Sequence, residues 1–105
     1  MRSIILFGHE SAAQEAFMHV DAMLRERAIV DVTLVLTIHV DQPTAKGLRA
    51  VGGELWYCGP TLTPPGGGWS PMCADKYLIG RTLEARTAQA IAAFHEFLRK
   101  QQVPA

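Results

Sequence analysis

Half of the sixteen residues from Cys58 to Cys73 (CGPTLTPPGGGWSPMC) are proline or glycine: Gly59, Pro60, Pro64, Pro65, Gly66, Gly67, Gly68 and Pro71. Proline removes backbone donors and clashes within a helix, and both residue types weaken a central strand, so this stretch excludes regular structure. Structureless connections longer than about 12–15 residues are uncommon in small domains and tend to carry function. The long loop is therefore expected at 59–75, with Trp69 in it and the chain's only two cysteines bracketing it.

The rest of the chain reads as ordered elements. Ser3–Gly8 is apolar on both faces, which predicts a central strand. Ser11 and Gln14 have capping-box spacing, and Ala13, Phe17, Val20, Leu24 and Ala28 form one helical stripe, so a helix is expected to about Arg27. From Val30 to Asp41 the even positions are all apolar and the odd ones nearly all polar. That alternation predicts a long strand with one face on a core and one on solvent, a partner or a ligand. Gln42-Pro43-Thr44 is read as its terminator. A third strand follows at Gly53–Cys58, with Leu55 and Tyr57 opposite Glu54, Trp56 and Cys58, and a short fourth at Lys76–Gly80. Thr87, Ile91, Phe94 and Leu98 mark a last helix, with Arg81–Arg86 as its frayed first turn or a continuation of the strand.

The order β-α-β-β-(β)-α predicts a single α+β domain over residues 1–105. The expected architecture is an open-faced sandwich in the ferredoxin-like neighbourhood: a mainly antiparallel sheet of three to four strands with two helices on one face.

Composition narrows the partners. Ten basic and ten acidic side chains cancel, which gives no global field for nucleic acid or an anionic membrane. No apolar run approaches the roughly 20 residues of a membrane-spanning helix. A cytoplasmic setting is the expectation, with Cys58 and Cys73 as free thiols. No cofactor is expected, and no metal, because neither cysteine belongs to a C-x-x-C pair.

Each chemical candidate stands beside an ordinary reading. His9 and Glu10 follow the first strand at a helix start, where backbone amides hold anions, or they simply form a turn. His39 shares the polar strand face with Thr37 and Asp41, as a site residue or a surface histidine. His19 with Glu15 reads as a solvated pair, and His95 as packing. Cys73 is a nucleophile only if a histidine approaches it; Cys58 reads as a small buried hydrophobe. Gly66-Gly67-Gly68 lacks the lysine and Ser/Thr of a phosphate-binding loop. Trp69 either folds back or meets a partner.

Two functions follow. The first is a non-catalytic binding or assembly module, homodimeric, whose contact surface is Thr33, Val35, Thr37, His39, Trp56 and Trp69. The second is a small enzyme or small-molecule-binding domain with a pocket between the sheet and the 59–75 loop, using His9, Glu10, His39 and Cys73.

Overall fold

The computed structural model describes residues 2–37, 42–63 and 74–102. The elements are β1 (Arg2–Gly8), α1 (Glu10–Glu26), β2 (Val32–Leu36), α2 (Gln42–Ala50), β3 (Glu54–Gly59), β4 (Lys76–Ile79) and α3 (Leu83–Gln102). The four strands form one sheet in the order β2-β1-β3-β4, and every neighbouring pair is parallel.

This overturns the antiparallel, open-faced expectation. A parallel neighbour requires a crossover rather than a hairpin, and α2 supplies one between β2 and β3. Its sequence, QPTAKGLRA, conceals it. Pro43 lies in the first turn, where a missing N–H costs nothing, and Gly47 interrupts the apolar pattern from a position with no other atom near its would-be side chain. Both residues read as breakers in sequence and neither breaks the helix.

Two layers result. Ile4, Leu6, Trp56, Cys58 and Leu78 meet α1 and α3 on one face, with Val20, Phe94 and Phe97 among the enclosed side chains. Ile5, Phe7, Leu55 and Tyr57 form a smaller cluster on the other face, joined by Leu48 of α2 and by Ala74. β1 is central, with consecutive residues buried to opposite sides, as its apolar run predicts. The expected alternation of β3 also holds, but both of its faces are interior, and Trp56 has no exposed surface. Trp56 is therefore removed from the expected contact surface. Its ring lies edge-on to Phe97 at 6.4 Å between centroids.

Helix boundaries shift for local reasons. α1 starts at Glu10, one turn's fraction before the expected Ser11 cap, because Gly8 at φ 119° turns the chain sharply out of β1. It ends in a Schellman arrangement, with Ala28 at φ 53°. The Ala28 N–H donates to the Arg25 carbonyl at 3.1 Å and the Ile29 N–H to Leu24 at 3.0 Å. Ala28 thus leaves the helical stripe. α3 starts at Leu83 rather than Thr87, because the Thr82 hydroxyl accepts the Ala85 N–H at 3.1 Å as an N-cap. Its buried stripe runs through Ala90, Ala93, Phe94 and Phe97, which turns Glu84 and Ile91 outward. β2 is shorter than its alternation suggests, since its ladder with β1 ends at Leu6↔Leu36. None of the helices, among the described residues, is long and apolar enough to cross a membrane.

Candidate functional site

The strand order places a reversal between β1 and β3. The chain leaves β1 with α1 on one face to reach β2, then returns past β1 with α2 on the other face to reach β3. Connections therefore diverge at the carboxyl ends of β1 and β3, and open α/β sheets bind ligands in the crevice so formed.

The residues there are Gly8 and His9 from β1 and Cys58 to Thr63 from β3. The His9 N–H donates to the Cys58 carbonyl at 2.9 Å, extending the ladder into the turn. Its ring then lies over Gly59, where a Cβ would come within 2.5 Å of the imidazole. Nε2 of His9 lies 2.9 Å from the Thr63 carbonyl. A carbonyl only accepts, so His9 donates from Nε2, and in the neutral ring Nδ1 keeps the lone pair. The Tyr57 hydroxyl faces the carbonyls of Thr61 at 2.9 Å and Thr63 at 3.1 Å. Burial, with a smaller contribution from Cys58, raises the Tyr57 pKa, which keeps this phenol a neutral donor. His9 and Tyr57 together fasten the first residues of the 60–75 connection to the carboxyl edge of the sheet.

Glu10 is exposed in the first turn of α1. His9 is the N-cap and makes no side-chain hydrogen bond to the first-turn amides, which have no side-chain cap among the described residues. Arg81, exposed, follows β4 at the same end of the sheet.

Behind this edge, Arg86 joins three elements. It donates to the Gly80 carbonyl at 2.8 Å and to Glu15 at 2.8 Å. A crevice of about 10 Å³ lies beside it, lined in part by Cys58 and Ala12. That is room for one water at most.

Cys58 is a buried free thiol, and burial pushes its pKa up to about 12 against the opposing charge of Arg86. The reading of Cys58 as a small hydrophobe agrees with this setting. An acid whose pKa is raised by folding stabilises the fold below its unfolded pKa, and that contribution is lost as pH climbs toward the folded value. Stability to urea is expected to fall between about pH 9 and pH 12, by up to about 4 kcal/mol from this group. The Cys58→Ala variant should show a shallower decline. Iodoacetamide at pH 8, with the labelled residue located by peptide mapping, should alkylate Cys58 only once the chain is unfolded; rapid labelling at Cys58 in the native protein would contradict the burial.

The opposite, amino edge carries charge but a different logic. A wide cleft of about 620 Å³ is bordered by Arg2, Arg49, Glu54, Asp75 and Lys100. Its carboxylates are already engaged. Asp75 accepts the Leu55 N–H at 2.8 Å and pairs with Arg49 at 3.1 Å. Buried Glu54 accepts the Trp56 indole N–H at 2.9 Å and pairs with Lys100 at 3.2 Å. A buried carboxylate needs such partners to offset its desolvation, and here they tie β3 to β4, α2 and α3.

Of the residues singled out in sequence, His9 and Glu10 stand together at the carboxyl edge, and Thr33, Val35 and Thr37 lie on or just after β2, at the sheet margin. Trp56 belongs to the core. His39, Trp69 and Cys73 lie outside the described residues. Tyr57, Thr61, Thr63 and the Gly8/Gly59 pair were not singled out. Their signal was the glycine ending each of two apolar strands, which gains meaning only once those strands are known to be parallel neighbours. Comparison with protein-family models, with curated proteins and with solved structures found no match.

Proposed function

We propose that the chain binds a small anionic molecule at the carboxyl ends of β1 and β3. The carrying observation is the strand order β2-β1-β3-β4, which puts His9 at the reversal point of a parallel sheet. Three features support an anion. The amino end of the 17-residue α1 opens there, and such ends favour negative groups through oriented amides. His9 offers an imidazole whose Nε2 is held by Thr63, so that Nδ1 donates to an anion when the ring is the imidazolium, the form a bound anion favours. Arg81, exposed after β4, adds a cation at the same end of the sheet. Gly8-His9-Glu10-Ser11-Ala12-Ala13 is not G-x-G-x-x-G, so a dinucleotide is not the reading; a phosphorylated or carboxylated small molecule is.

The test is calorimetric titration at pH 7 and low ionic strength with ribose 5-phosphate and with inorganic phosphate. Binding to the wild type is expected, with affinity at least about tenfold weaker in His9→Ala, the loss of one charge-assisted hydrogen bond. No binding by the wild type, or equal affinity in His9→Ala, would defeat the proposal.

A further inference from the structure

The two edges of the sheet are unequal. At β4 the edge is short, carries Lys76 paired with Glu96 at 2.9 Å, and is roofed by α3. There the Gln89 side chain accepts the Ile79 N–H and donates to the Ile79 carbonyl, standing in for a neighbouring strand. These are the devices by which natural sheets block pairing at an edge.

β2 also has a helix, α1, over one face, but among the described residues its outer edge lacks a charged side chain and a side-chain cap of this kind. Its sequence, VTLVL, is uncharged and free of proline. The Arg2 N–H donates to Asp31 and the Thr37 N–H to Leu6, so the odd residues of β2 face β1 along the parallel ladder. Val32, Leu34 and Leu36 therefore turn their backbone N–H and C=O groups to the outer edge, where no hydrogen bond reaches them among the described residues. Val35 and Leu36 are 38% and 40% exposed, large values for apolar strand residues.

We infer that this edge pairs with β2 of a second copy, antiparallel about a two-fold axis through Leu34. The sequence suits itself in that register. Leu34 faces its own counterpart and Val32 faces Leu36, giving about six backbone hydrogen bonds. On the opposite face Thr33 meets Val35, a β-branched pair of the kind that stabilises adjacent strands. Asp31 falls opposite Thr37, so no like charges meet. Because β4 is capped, pairing stops at two copies and produces one closed sheet rather than a fibre.

Sedimentation equilibrium from about 1 to about 100 µM tests it, since a micromolar dimer dissociates across that range. The wild type is expected to dimerise. Thr33→Lys with Val35→Lys sets lysine against lysine twice across the axis and should weaken association about tenfold. Thr33→Glu with Val35→Lys sets opposite charges there and should restore it. All substituted side chains are exposed in the single chain, and circular dichroism checks that the fold is kept. Independently of any variant, amide exchange at Val32, Leu34 and Leu36 should slow as wild-type concentration rises. A wild type that stays monomeric, a dimer indifferent to the double lysine variant, failure of the opposite-charge pair to restore it, or growth beyond two copies would each overturn the inference.

Discussion

Gly8→Ala is expected to cost more than about 4 kcal/mol, most of the stability of a domain at the low end of the ordinary range of about 5–15 kcal/mol. Two effects add. Gly8 has φ 119°, where an L side chain is strained by about 1–3 kcal/mol. The added Cβ would also lie 2.4 Å from the Cys58 carbonyl oxygen. That oxygen cannot retreat freely, because it accepts the His9 N–H at 2.9 Å and belongs to the strand residue paired with Gly8. Relief requires β1 and β3 to separate at the end where His9 is positioned. Urea denaturation measures the loss; a cost below about 1 kcal/mol would show that the backbone can adjust and that the strand ends are not fixed as described.

Trp56→Ala should cost about 3–5 kcal/mol from lost burial and the cavity left behind. It also deprives buried Glu54 of its indole donor, adding to the penalty on a carboxylate that is only 6% exposed. Trp56→Phe keeps a ring against Phe97 but loses the indole donor and part of the buried ring volume, and is expected to cost less than Trp56→Ala, at about 1–3 kcal/mol. Equal stability of wild type and Trp56→Ala would mean that Trp56 is a surface residue, as its sequence setting first suggested.

That contrast shows what the chain makes legible. The alternation of Leu55/Tyr57 against Trp56/Cys58 is plain in sequence and correct in the fold. What it lacks is any mark that both faces are covered, because that depends on α2, whose Pro43 and Gly47 erase its pattern. The parallel sense of the sheet was illegible for the same reason, compounded by a β3–β4 connection with no helical periodicity. β1 was readable as central from its unbroken apolar run, and the first helix from its stripe. The alternation at Val30–Asp41 overstates β2 at its start, since Val30 and Asp31 precede the ladder with β1, while its residues 38–41 lie outside the described residues. His9 and Glu10 were identified from a strand–turn–helix pattern alone. The neighbours of His9, Tyr57 and Thr63, come from a segment some fifty residues away, and only the sheet order joins them.

The most direct test of the central claim is a ¹⁵N–¹H correlation spectrum of the wild-type protein titrated with ribose 5-phosphate. Saturable shifts concentrated at Gly8 to Ala13 and Gly59 to Thr63, at the carboxyl ends of β1 and β3, are the predicted result. Shifts confined to Arg49 to Glu54 and Asp75, at the amino edge, or no saturable shifts at all, would contradict it.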